Sequence, residues 1–419
     1  MKLKIVLSTA SALALLAGAA WAGSNNESYT KQDGSGNAVN IQQSAGPGGN
    51  RVGNVGAPIL QEGDNNSFSE TQATGGGFSR GNNIIDAALQ HGNNNSFSSK
   101  YSNNAGSNTI SNLLQIGNGN KASVDRNASV SGSIGSIVQG GETVGAGGNG
   151  NFLEIYQNGS NNSITRAAQI GSNNGWSVQP PGNGGSRYGT TISQSGSGNL
   201  LQLSSIVGSN NNASGVKAAH KIVQSGHDNG QSESIASTLG SNGNWIHVAQ
   251  PGNSNNFNLT QGISTASTGN DINLVQSGNE NYAKATQSGD YNRVNIGQAG
   301  NENVVNALVT GSNNGSGIFS NSSASDLAVV NGLTSGDIFQ DTNLNTVSLT
   351  VVSDGNQFAF RQSGGDQNTI TANITGVGNN QAVGVQNGDH NTASLNQSGT
   401  ANVAVFNQIG GSNGISVNQ

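Results

Sequence analysis

Residues 270–314 read NDINLVQSGNENYAKATQSGDYNRVNIGQAGNENVVNALVTGSNN. Gln276, Gln287 and Gln298 stand eleven residues apart, and each opens a Gln-x-Gly-x-x-Asn unit, closed by Asn281, Asn292 and Asn303. Val309 takes the glutamine place in the next copy, which keeps Gly311 and Asn314. Between each Asn and the next Gln, small or apolar residues alternate with polar ones. The unit is therefore Asn-x-φ-x-φ-x-Gln-x-Gly-x-x-Asn, where φ is apolar. A period of two marks a strand with one face buried, and the glycine-bearing segment closes it with a tight arc.

Side chains alternate faces along a strand, so Asn at position one, apolar residues at three and five, and Gln at seven all point inward. Tyr282, Lys284, Thr286, Arg293, Asn295 and Gly297 then point outward. Two eleven-residue units make one flattened coil of strand, arc, strand, arc. Coils stacked about 4.8 Å apart hydrogen-bond backbone to backbone, the cross-β arrangement. Stacking also sets Asn over Asn and Gln over Gln. Each buried amide then finds a partner one coil away, which removes a penalty of about 1–3 kcal/mol per unsatisfied group. The expected fold is all-β: a β-solenoid built from half-repeats of about 11 residues. Its amide ladder is expected to comprise Gln250, Asn255, Gln261, Asn270, Gln276, Asn281, Gln287, Asn292, Gln298 and Asn303. Further along, it takes in Gln362, Gln386, Asn391, Gln397, Asn402, Gln408 and Asn413. The arc glycines are Gly278, Gly289, Gly300, Gly311, Gly388, Gly399 and Gly410.

The same lattice runs through most of the chain. Residues 1–22 read as a cleaved signal peptide: Lys2 and Lys4 precede an apolar core at 5–19, and Ala20-Trp21-Ala22 is a small-x-small cleavage site. That apolar run is shorter than the ~20 residues a membrane-spanning helix needs, and nothing later is apolar for long enough. Residues 23–150 hold irregular copies, at Gln32, Gln61, Gln90 and Gln115, with glycine-rich inserts such as 45–50 and 74–79 where arcs belong. Residues 151–314 are regular, apart from an insert marked by Pro180-Pro181, since proline cannot serve an internal ladder. Residues 315–336 lose the consensus and read as a degenerate repeat or an insert. It returns over 337–419, where Gln397, Gln408 and Gln419 again fall eleven apart; with no capping segment after them, that end of the stack reads as open.

Composition narrows function further. Of 419 residues only 9% are charged, 5% aromatic and 32% hydrophobic, while 64 are glycine. That is too little apolar material for several conventional cores, and the low charge separates the chain from ordinary disorder. A net charge of -6 without a basic stripe argues against nucleic-acid binding. Cysteine is absent, so stability rests on hydrogen bonds and packing. His91, His220, His227, His247 and His390 follow no metal-ligand spacing and are expected at surface or arc positions. Acidic residues in arcs, as at Asp64, Asp290 and Asp389, lack the paired glycine pattern of calcium-binding β-rolls and read as solubilising charges. Outer positions are too mixed for an ice-binding threonine array, and no nucleophile–base or paired-carboxylate arrangement stands out. No enzyme, cofactor or metal is expected.

The spacing of Gln, Gly and Asn resembles the curlin repeat of curli subunits, Ser-x5-Gln-x-Gly-x-x-Asn-x-Ala-x3-Gln. The segment from Gln276 through Gly278, Asn281 and Ala283 to Gln287 matches most of it, as does the one from Gln386 through Gly388, Asn391 and Ala393 to Gln397. The resemblance implies a secreted subunit that passes an outer-membrane pore unfolded, meets a nucleator subunit and polymerises with itself into extracellular amyloid fibres of a biofilm matrix. This chain is longer than a typical curli subunit, carries inserts, and leaves little room for a separate secretion segment after the signal peptide. The alternative is a monomeric secreted solenoid that serves as an adhesin or stalk, which requires both strand edges to be capped.

Overall fold

A computed structural model of the protein describes residues 26–43, 49–73, 83–102, 107–127, 132–145, 147–174, 190–207, 220–239, 243–262, 267–376 and 378–419. The signal peptide, the 74–79 insert and the Pro180-Pro181 insert lie outside these residues. The chain divides into two compact units, Met1–Lys221 and Ile222–Gln419. Each is a stack of two-stranded coils, as the lattice predicts.

In the second unit, consecutive strands alternate between two parallel sheets. One sheet runs through Asn256–Gln261, Tyr282–Ser288, Val304–Thr310, Thr346–Val352, Thr369–Ile374, Thr392–Gln397 and Gly414–Asn418. The other runs through Trp245–Gln250, Asp271–Gln276, Arg293–Gln298, Asp337–Gln340, Gln357–Ser363, Gln381–Asn387 and Val403–Ile409. Register follows the repeat: Asn281 leads into a strand where Gln287 lies beside Gln261, and Gln276 lies beside Gln298. Burial alternates as the pattern requires. Val294, Ile296, Ala283, Ala285, Ile272 and Leu274 are fully buried, and the residues between them face out. The core is one thin layer of small and branched side chains between the two sheets, closed at both corners by buried amides.

The consensus gap at 315–336 is an insertion in the middle of a strand. Asn314 and Gly315 continue the ladder, since Arg293 donates to the Asn314 carbonyl and Gly315 to that of Asn356. The chain then leaves and rejoins at Gly336, whose carbonyl accepts from Asn295. Between these points lies a helix, Ser322–Val330, with Asn321 as its N-cap; the Asn321 side chain accepts from the Ala324 amide. Ala324, Ala328, Phe319 and Leu333 pack on Ala359, Val383 and Val385. Those last three occupy outward strand positions, and the helix is what buries them. Arg361 ties the insert down through Asp341 and the Asn331 carbonyl, and Arg293 does the same through Asp337.

The first unit repeats the design with one modification. Its sheets run through Ile59–Glu62, Ile84–His91, Asn108–Ile116, Gly132–Gly140, Ser163–Ile170 and Leu200–Val207, and through Ala38–Gln43, Ser67–Ala73, Ser96–Ser102, Lys121–Asn127, Phe152–Asn158 and Thr190–Gln194. In the first of these sheets, two successive residues face outward at Asp86-Ala87, Ser111-Asn112, Gly135-Ser136, Thr165-Arg166 and Gln202-Leu203. These are bulges stacked coil upon coil, each adding one residue to the strand. They are why the lattice looks irregular there: the extra residue shifts the phase without leaving the sheet.

Candidate functional site

Gln224, Gln250, Gln276, Gln298, Gln340, Gln362, Gln386 and Gln408 form one continuous column in the second unit. Each Nε2 donates to the Oε1 of the next glutamine at 2.7–3.0 Å. Across the coil, the same amides reach backbone carbonyls of the opposite sheet: Gln298 donates to Tyr282 at 3.2 Å and Gln362 to Thr346 at 3.1 Å. One side chain thus joins neighbouring coils and both sheets. The facing column is discontinuous. Gln261 donates to Gln287 at 3.1 Å, then Val309, Val351 and Ile374 occupy the place, and Gln397 resumes with Gln419 at 3.1 Å. Replacing neighbouring amides together leaves no orphan inside the block, the case in which apolar substitution is nearly neutral. The first unit carries its own column, Gln32, Gln61, Gln90, Gln115, Gln139 and Gln169, linked at 2.6–2.8 Å.

The asparagines depart from the simple side-chain ladder expected. Their Oδ1 atoms accept the backbone N–H of the asparagine one coil on: Asn255 from Asn281 and Asn281 from Asn303 at 2.9 Å, Asn270 from Asn292 at 2.8 Å, and Asn391 from Asn413 at 3.0 Å. Asn402 donates its backbone N–H to Asn380 in the same way, at 2.9 Å. Their Nδ2 atoms donate to the arc glycine of the next coil. Asn255 reaches Gly278, Asn281 reaches Gly300 and Asn391 reaches Gly410 at 2.8 Å; Asn270 reaches Gly289 and Asn292 reaches Gly311 at 2.7 Å; Asn380 reaches Gly399 at 3.2 Å. Side-chain-to-side-chain Asn bonds occur in addition, as between Asn281 and Asn255 at 3.1 Å. The asparagine is a corner brace that serves backbone groups the arc would otherwise strand.

Glycine enters the arcs for two different reasons. Gly289, Gly311, Gly388, Gly399 and Gly410 have φ between +96° and +129°, which other residues rarely adopt, although Ser353 holds 125° at the equivalent arc position. Gly278 and Gly300 do not; there a Cβ would collide with the carbonyl of Gly300 or Thr342 in the next coil. The recurrent left-handed residue is instead the one just before each asparagine. Glu280, Tyr291, Glu302, Leu344, His390 and Ala401 all have φ of 56–57°. Arc acids also have a structural task. Asp290 accepts the Thr268 amide at 2.7 Å and Asp389 that of Asp366 at 2.9 Å, as Asn301 accepts that of Asn279 at 2.9 Å. Among the described residues no group of three His, Cys, Asp or Glu could hold a metal.

Two buried features escaped the reading of the sequence. His220 is in the core, against the expectation of a surface site; it bonds Ser204 Oγ at 3.0 Å, and burial pushes its pKa down to about 3. Glu70, Ser99, Tyr101 and Arg126 are buried together in the first unit. The lattice itself marks them, because Asn66-x-Phe68-x-Glu70 puts a carboxylate at an inward apolar position and Asn120-x-Ala122-x-Val124-x-Arg126 puts a cation in the glutamine place.

Residues 268–300 and 388–419 match the family model of the curlin associated repeat. No curated protein and no solved structure matched the chain. The matched segments contain Gln276, Gln287 and Gln298, and Gln397 and Gln408, all placed by the structure in stacked amide columns. Two segments of the chain thus carry the curlin associated repeat, and the same coil repeats in parallel register through each unit.

Proposed function

We propose that this chain is a secreted structural subunit that assembles with itself into extracellular curli-like fibres, contributing to a biofilm matrix and to surface adhesion. The observation that carries this reading is the continuous glutamine column from Gln224 to Gln408. Every coil presents the same donors on one side and the same acceptors on the other. Whichever coil ends a stack therefore exposes backbone N–H and C=O groups and half-satisfied amides that match a further coil. A second chain satisfies them by adding a strand pair, which is templated β-addition. A nucleator subunit and an outer-membrane pore are the partners such a route calls for.

The test uses purified chain without residues 1–22, followed by sedimentation and electron microscopy. Unbranched fibres are the expected outcome. A monomer that persists at high concentration without forming fibres overturns the reading and favours the monomeric adhesin. Within that assay, changing Gln276, Gln287 and Gln298 together to Ala is expected to slow assembly, and unchanged kinetics would remove that block from the polymerising surface.

A further inference from the structure

In the first unit, the second glutamine column is broken at one place. Strands Ser67–Ala73, Ser96–Ser102 and Lys121–Asn127 pair in order, with Gln72 beside Tyr101 and Tyr101 beside Arg126. Gln43 and Gln72 are bonded at 3.1 Å on one side of the break, and Gln157 and Gln194 at 2.7 Å on the other. Glu70 lies beside Ser99 one layer further in. Glu70, Tyr101 and Arg126 are all 0% exposed. The Arg126 guanidinium sits 5.2 Å from the centre of the Tyr101 ring, and its Nη2 donates to the Thr109 carbonyl at 3.2 Å. Ser99 faces both the Glu70 carboxyl and the Tyr101 hydroxyl, and Gln72 faces Glu70, but no hydrogen bond of ordinary geometry reaches the Glu70 oxygens, the Tyr101 hydroxyl or Arg126 Nε and Nη1.

Such a cluster stabilises a fold poorly, because removing charges from water costs more than these contacts return. What it supplies is discrimination. In a chain of near-identical coils, pairing with the next coil but one preserves the general pattern, so register is weakly specified. Here that skip would set Glu70 against Val124 and Gln72 against Arg126, and it would strip the aromatic face from the guanidinium. With Glu70 protonated, that aromatic face is the chief support of the buried guanidinium, so losing it leaves the charge worse placed than in the observed order. We propose that Glu70, Tyr101 and Arg126 are the specificity-determining residues of coil pairing in the first unit, fixing strands 67–73, 96–102 and 121–127 in a single order. The inference concerns pairing within one chain and stands whether or not the chain polymerises. Burial holds the Glu70 carboxyl at about 8, so near neutral pH it stays protonated and Tyr101 is the main support of the Arg126 charge.

The chain has no cysteine, so register can be read from introduced pairs at outward positions. Ser69 lies beside Ser98, and Ser98 beside Ser123. In the full chain, cysteines at 69 and 98 are expected to cross-link and cysteines at 69 and 123 are not. The variant Glu70→Ile/Tyr101→Gln/Arg126→Gln restores the residue types found elsewhere in the lattice. It is expected to fold yet to yield the 69–123 cross-link as well, rising at least tenfold over the parent. A second variant, Arg126→Gln alone, removes the charge and keeps the rest; it too is expected to admit the 69–123 pair. If either variant folds and still gives only the 69–98 cross-link, the proposal is wrong. Failure of both to fold, seen as loss of the β-sheet circular dichroism signal, also overturns it, because the cluster would then be needed for the fold itself.

Discussion

Gln298→Leu perturbs the centre of the longest amide column. The wild-type side chain is 1% exposed; its Nε2 donates to Gln340 at 2.9 Å, and its Oε1 accepts from Gln276 at 2.8 Å. Leucine fills much of the same space but leaves two buried neighbours incomplete: an N–H of Gln276 and the Oε1 of Gln340. At about 1–3 kcal/mol for each orphaned group, the cost is about 2–6 kcal/mol, offset only slightly by the added apolar contact. Gln287→Leu is the matched control. Gln287 accepts from Gln261 at 3.1 Å but faces Val309 on its other side, so only one amide neighbour is orphaned. Its cost is therefore about half, roughly 1–3 kcal/mol. Urea denaturation of the chain, held dilute enough to stay monomeric, reads both from the midpoint shift at constant slope. Equal midpoints for the two variants would refute the reasoning, because the number of orphaned amides would then not set the cost.

Three more outcomes follow from the same structure. Val351→Gln places an amide between Val309 and Ile374, whereas Ile374→Gln places one beside Gln397; the first is expected to destabilise by about 1–3 kcal/mol more, measured by the same denaturation. Burial raises the Glu70 carboxyl from 4.5 to about 8 against the opposing pull of Ser99, Gln72 and Arg126, so the folded form binds a proton that the unfolded chain gives up. Glu70 alone contributes stability that is present below pH 4.5 and lost up to about 8, at about 1.4 kcal/mol per pH unit; buried His220 in the same unit contributes the opposite slope between about 3 and 6.5, so the net fall is expected between about pH 6.5 and 8. Glu70→Gln should abolish that slope, and an unchanged pH profile would contradict the assignment. Leu344 holds φ of 56° at a half-exposed arc position; Leu344→Gly relieves a left-handed strain of about 1–2 kcal/mol and should raise the melting temperature.

The stacked coil was legible because its two periods reinforce each other. Alternation of two gave the strand faces, and the return of Gln276, Gln287 and Gln298 every eleven residues gave the arc. Local phase shifts were harder to read. At Asp86-Ala87 and the four bulges stacked on it, two outward residues in succession resemble a lost repeat, although the hydrogen-bonded ladder continues on both sides. The helix Ser322–Val330 was hidden because the chain departs after Gly315, inside a strand, where the Gly315-Ser316-Gly317 turn falls out of phase with the arcs of the repeat. Its packing partners Ala359, Val383 and Val385 were a clue, being apolar at positions that should face water. The role of asparagine was only half visible, since a sequence shows which side chains stack but not which backbone groups the arcs leave open. Glu70 and Arg126 were legible in principle, because the lattice assigns each an inward position that composition alone would not suggest.

The central claim, that one coil's surface is the template for the next across chain boundaries as well as within them, is tested most directly by fibre diffraction on aligned assemblies of the chain without residues 1–22. A sharp meridional reflection at about 4.7–4.8 Å with an equatorial spacing near 10 Å is expected, because coils added from a second chain must continue the spacing of the first. Assemblies that lack the meridional reflection would contradict it, since the chains would then be joined by some surface other than the open edge of a coil.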